Sequence, residues 1–122
     1  MARREEMRVE PRVKRYIWAL VDEARTVLGE ELAGVYAAGS VALDAFQPGR
    51  SDIDIALVCR SELPALSKDQ IVQRLRHEVL ECPACGLELV VYRREVAMSG
   101  TAEPGFELEL NTGAGMDFRV TD

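Results

Sequence analysis

The chain has 122 residues, enough for one domain and too few for a second large one. Its 48% apolar and 30% charged content supplies both a core and a solvated surface, which excludes wholesale disorder. Fifteen basic against 21 acidic side chains leave a net charge of −6, which argues against broad attraction to nucleic acid or to an anionic membrane. No apolar run approaches the about 20 residues of a membrane span, and the Arg-rich start leads into no signal-peptide core. A cytoplasmic protein without membrane association is expected. Three cysteines, Cys59, Cys82 and Cys85, are an odd and low count for an extracellular disulfide framework, so reduced thiols are expected.

In chain order, Val13, Ile17, Leu20, Val21, Ala24, Val27 and Leu28 recur at three- and four-residue spacing, which predicts an amphipathic helix from Pro11 to about Glu30. Leu32 to Ala38 predicts a short buried strand, Gly39-Ser40 a tight turn, and Val41 towards Phe46 a short helix. Gln47-Pro48-Gly49-Arg50 signals a turn, and the Ile-, Leu- and Val-rich stretch from Asp52 to Cys59 a strand. Ser67, with Gln70 three residues on, predicts a capping box heading a helix whose buried stripe is Ile71, Val72, Leu75, Val79 and Leu80, stopped by Cys82-Pro83. Leu87 to Tyr92 predicts a third strand, Phe106 to Leu110 a fourth, and Asn111 to Gly115 a loop. Met116 to Asp122 carries neither a helix stop nor a charged tail, so further structure is expected to continue beyond it. The order of elements predicts an α/β (α+β) domain, one sheet with helices against it.

The most informative constellation is Gly39-Ser40, an interval of eleven residues, and Asp52-Ile53-Asp54. In a strand, residues i and i+2 share a face, so Asp52 and Asp54 aim together while Ile53, Ile55 and Leu57 face the opposite side. Two converging carboxylates need a cation between them, and hard oxygen ligands favour Mg²⁺, which keeps waters and binds substrate phosphates. The plainer alternative has Asp52 capping the turn and Asp54 solvated. Gly39 permits a sharp bend, after which Ser40 offers its hydroxyl and nearby N–H groups to an anion; a simple N-cap serine is the competing reading. Glu88 is a lone acid in the apolar run 87–92. Beside Asp52 and Asp54 it completes an acidic triad, ligating a metal or accepting a proton, and otherwise it is solvent-facing.

The stretches 36–43 and 48–55, read together, resemble the signature of the nucleotidyltransferase superfamily that includes DNA polymerase beta. Residues 86–92 and 106–111 resemble the N-terminal domain of the streptomycin and spectinomycin adenylyltransferases. The resemblance covers residues 12–112 and implies a nucleotidyltransferase fold with a mixed sheet of four to five strands. It further implies Asp52 and Asp54 as Mg²⁺ ligands, Gly39 and Ser40 at the triphosphate of ATP, and Glu88 as catalytic base and further metal ligand. Asp44-Ala45 stands where such enzymes often carry glycine, and the helical C-terminal domain of the larger relatives is absent from these 122 residues.

The expected activity is therefore Mg²⁺-dependent transfer of AMP from ATP to a hydroxyl of a small molecule, an aminoglycoside antibiotic being the acceptor class that the narrower resemblance implies. Two alternatives stand beside it: an antitoxin that modifies a partner toxin protein, and a nucleotide-binding module without turnover. Cys82-Pro83-Ala84-Cys85, with His77 as the single histidine, lacks the second half of a zinc site and is expected to pack as apolar residues. Packing is likewise expected for Tyr16, Trp18 and Tyr36, and simple solvation for Arg50.

Overall fold

The structure is a computed structural model that describes residues 10–38, 51–98 and 105–122. Gly39, Ser40 and Arg50, the short helix expected towards Phe46, the turn at Gln47 and the Asp44-Ala45 departure all lie outside the described residues. The described elements are α1 (Pro11–Leu28), a 3-10 turn (Gly29–Glu31), β1 (Leu32–Ala38), β2 (Ile53–Cys59), α2 (Ala65–Leu75), β3 (Leu87–Arg93), α3 (Arg94–Met98), β4 (Leu108–Thr112) and β5 (Arg119–Thr121). The fold is α+β, with a mixed sheet in the order β1-β2-β3-β4-β5. β2 and β3 pair in parallel and every other neighbouring pair is antiparallel. The parallel pair needs a crossover, and α2 lies in it.

Burial follows the period-two alternation of the strands. Ile53, Ile55, Leu57, Leu87, Leu89, Val91, Leu108 and Leu110 face the core and are at most 2% exposed. The apolar stripe of α1, Val13, Tyr16, Ile17, Leu20, Val21, Ala24 and Leu28, joins the same core with Ile71, Val72 and Leu75 of α2. α1 starts with Pro11 in its first turn, where a missing N–H costs nothing, and ends at Gly29, whose φ of 55° suits glycine. No described helix is long and apolar enough to cross a membrane.

Four boundaries differ from the sequence expectations. α2 starts at Ala65 behind Pro64 and has no side-chain cap, so Ser67 sits inside its first turn. The start is fixed by Leu63, which is buried and donates its N–H to Glu107 Oε1 at 2.8 Å. The helix stops at Leu75, well before Cys82: Arg76 is extended, and the His77 N–H donates to Thr112 Oγ1 at 2.8 Å instead of continuing the helical ladder. Val79 is accordingly 62% exposed, outside the stripe. β4 is displaced to Leu108–Thr112, which puts Asn111 and Thr112 in a strand instead of a loop, and Thr112 is 1% exposed. Pairing with β3 decides this, since Glu88 faces Asn111 and Leu87 faces Thr112. α3 and β5 are additional elements; Val120 of β5 pairs with Leu110.

Tyr16 and Trp18 pack as expected, Tyr16 inside the core and Trp18 against it. Tyr36 is 54% exposed and lies over Gly34, where an added Cβ would meet its ring at 2.9 Å.

The turn after β4 passes close to the loop before β3. Gly113 has φ 154°, and a Cβ there would stand 2.7 Å from the Cys85 carbonyl oxygen and collide with Gly86 Cα. Gly115 N–H donates to that same carbonyl at 2.8 Å. Gly113→Ala is expected to lower unfolding free energy by about 1–3 kcal/mol through overpacking. Gly105→Ala, where nothing lies within 4 Å of the added atom, should stay within about 0.5 kcal/mol. Chemical denaturation of the two variants checks the contrast.

Candidate active site

The acidic residues of interest sit where β2 and β3 begin. β2 starts at Ile53 because its N–H donates to the Gly86 carbonyl at 2.8 Å, opening the parallel ladder, and one residue earlier the Cys85 N–H reaches the Ser51 carbonyl at 3.4 Å. These bonds fix a register in which Asp54 is the direct partner of Glu88. Since Ile53, Ile55, Leu87 and Leu89 face the core, Asp54 and Glu88 face away from it on adjacent strands about 4.8 Å apart.

The Glu88 carboxyl hydrogen-bonds that of Asp54. Glu88 is pushed up to about 7, first because its carboxyl hydrogen-bonds Asp54, then through desolvation and the negative charges of Asp54, Asp52 and Glu109. Protonated Glu88 donates and the Asp54 carboxylate accepts; losing that proton places two like charges side by side. Among the described residues no Lys or Arg ion-pairs with Asp52 or Asp54.

Asp52, just before β2, bears on Glu88 electrostatically and also on the Cys82 thiol. The structure thus brings Asp54 and Glu88 into contact and holds Asp52 within electrostatic reach. Among the described residues no three His, Cys, Asp or Glu side chains are grouped as a ready metal cage. Two adjacent carboxylates do suit Mg²⁺, which commonly takes one or two protein carboxylates and completes its shell with water and substrate phosphates. The expected phosphate contacts of Gly39 and Ser40 fall outside the described residues.

The register adds residues that the sequence reading left out. Across the sheet the row reads Ala38, Asp54, Glu88, Asn111, Arg119, and the next row reads Tyr36, Ala56, Val90, Glu109, Thr121. Asn111 was hidden by its assignment to a loop. Glu109 was legible in the alternation Leu108-Glu109-Leu110-Asn111, whose polar positions share the face of Glu88.

The C-x-x-C segment supports the site from behind. Cys82 is 5% exposed, its N–H donates to His77 Nδ1 at 3.0 Å, and burial raises its thiol above the usual range. Cys85 is half-buried, and neither thiol is in a disulfide. His77 thus ties α2, the segment before β3 and β4 together. Compared with models of known protein families and with curated proteins, the chain matches none.

The raised Glu88 carboxyl sets a pH dependence. A carboxyl whose folded value is raised holds its proton more tightly when folded, so its contribution to stability is complete below the unfolded value. That contribution is lost as pH rises through about 7. In metal-free buffer the thermal midpoint of the wild type is expected to fall between pH 5 and pH 8 by more than that of Glu88→Gln. Carboxyl ¹³C NMR should follow Glu88 titrating near neutrality, and Asp54→Asn should return it towards the ordinary glutamate range.

Proposed function

We propose that the chain is a Mg²⁺-dependent nucleotidyltransferase that transfers AMP from ATP to a hydroxyl group of an acceptor. The observation that carries this reading is the contact between Asp54 and Glu88 across the parallel β2–β3 pair, with Asp52 bearing on the same point. Two adjacent carboxyl groups form a hard oxygen pair suited to a divalent metal. The order of Gly39-Ser40, Asp52, Asp54 and Glu88 along the chain adds the family resemblance.

In this mechanism Asp52 and Asp54 would hold Mg²⁺, and Glu88 would serve at the acceptor hydroxyl as well as contributing its oxygen to the acidic set. When bound there, Mg²⁺ would supply neutralisation of phosphate charge and a lowered pKa of the acceptor hydroxyl. Ionised Glu88 accepts the proton as the acceptor oxygen forms its bond to the α-phosphorus, and the bond from that phosphorus to the bridging oxygen breaks to release pyrophosphate. The backbone clamps at Ser51, Ile53 and Gly86 fix the spacing of the acids before substrate arrives. That preorganisation matters because positioning and electrostatics dominate phosphoryl-type transfers.

The test uses α-labelled ATP with Mg²⁺ and a panel of hydroxyl acceptors, including aminoglycosides and proteins of a cell lysate. Wild type is expected to release pyrophosphate and label an acceptor. Glu88→Gln should reduce transfer by about 10²–10⁴-fold, the usual contribution of a positioned base. Asp54→Asn should abolish transfer and weaken Mg²⁺-dependent ATP binding. Transfer undiminished in the double variant, or ATP binding without pyrophosphate release in wild type, overturns the proposal.

A further inference from the structure

The polar row continues past Glu88, on the side away from Asp54, to Asn111 and then Arg119. Val120 pairs with the core-facing Leu110, so by alternation Arg119 and Thr121 lie on the opposite face, with Glu88 and Asn111. Two strand spacings put the backbone of Arg119 about 10 Å from that of Glu88, a span that an extended guanidinium reaches across in large part. In the Asp54 row and the row beside it, the other described positions are Ala38, Asp54, Glu88, Asn111, Tyr36, Ala56, Val90, Glu109 and Thr121. Arg119 is therefore the one basic residue of these two rows. It is exposed, and no carboxylate among the described residues pairs with it.

Resting on the nucleotidyl-transfer reading, we propose that Asn111 and Arg119 form the acceptor's seat, and that the acceptor carries an anionic group, a phosphate or carboxylate, a few bonds from its reacting hydroxyl. In-line displacement puts the entering oxygen opposite the departing pyrophosphate. With the donor phosphates held on the Asp52 and Asp54 side, the acceptor extends from Glu88 over β4 and β5. There the neutral amide of Asn111 stands next to Glu88 and offers both a donor and an acceptor to a hydroxyl. Beyond it the guanidinium of Arg119 offers a paired-donor fork to a carboxylate or phosphate. An acceptor bearing only amines would meet Arg119 with like charge.

The experiment reads binding on the full chain without ATP. Glucose 6-phosphate, glucose and glucosamine serve as probes, and the Asn111 side-chain amide and Arg119 Nε–H signals are followed by ¹⁵N NMR. Glucose 6-phosphate at millimolar concentration is expected to shift both signals, while glucose and glucosamine bind at least ten-fold more weakly. Arg119→Glu should weaken glucose 6-phosphate at least ten-fold, and Arg119→Lys, which keeps the charge but loses the fork, should weaken it by less; circular dichroism confirms that both variants fold. Unmoved signals, or equal affinity in Arg119→Glu, overturn the inference. So does a shift of Arg119 produced by Mg²⁺-ATP and not by glucose 6-phosphate, which assigns the guanidinium to the donor. Mg²⁺-ATP binding by wild type, measured separately, tests the nucleotidyl-transfer reading on its own, so the failure of one is distinguishable from the failure of the other.

Discussion

The parallel pairing of β2 with β3 is the constraint on which the rest depends. It begins at a single backbone bond from Ile53 to Gly86, and from that point the ladder matches Asp54 to Glu88. A slip of one residue would turn one strand's acids into the core and its aliphatic residues out. The core prevents such a slip, because Ile53, Ile55, Leu87 and Leu89 are all at most 2% exposed. Hydrophobic burial on one face therefore fixes where two like charges must meet on the other. The raised Glu88 carboxyl is the electrostatic consequence of that packing.

Around this pair the supporting structure is built from backbone contacts and small residues. The loop before β3 is held on one side by Ser51 and Ile53 and on the other by Gly115. Gly113 passes so close to Gly86 that a side chain cannot be accommodated. His77 accepts from the Cys82 N–H and donates its own N–H to the buried Thr112 hydroxyl, so the end of α2 is coupled to β4 and to the segment before β3. The one histidine of the chain thus has a structural account, and Cys82 has one too, as a buried thiol in the core cluster. Neither is needed for the proposed chemistry. A site assembled this way suits a reaction that depends on charges held in place, because little reorganisation is left for the moment of reaction.

Charge along the polar face is graded. Asp52, Asp54 and Glu88 gather at the first residues of β2 and β3, Arg119 stands two strands from Glu88 with the neutral Asn111 between, and Glu109 lies on β4, one strand from Arg119. The two strand spacings between Glu88 and Arg119 are comparable to the screening length of physiological salt, about 8 Å, so these two charges are largely screened from one another. The chain's net charge of −6 describes neither end and is a poor guide to what this face binds.

The sequence by itself determined the alternating strands, the buried stripe of α1 and the grouping of Asp52 with Asp54, because periodicity is a local property that a core-facing surface imposes residue by residue. It also isolated Glu88, whose charge interrupts an apolar run. It misplaced the ends of α2 and β4: Ser67 and Gln70 spelled a capping box that Pro64 and Leu63 overrode, and Asn111 read as a loop residue until β3 gave it a partner. Only the tertiary structure decided that β3 lies parallel to β2, that Glu88 touches Asp54, and that Asn111 and Arg119 extend the same row. Strand order and register depend on contacts between segments far apart in the chain, made through backbone groups that every residue carries alike, and local spacing holds no record of them.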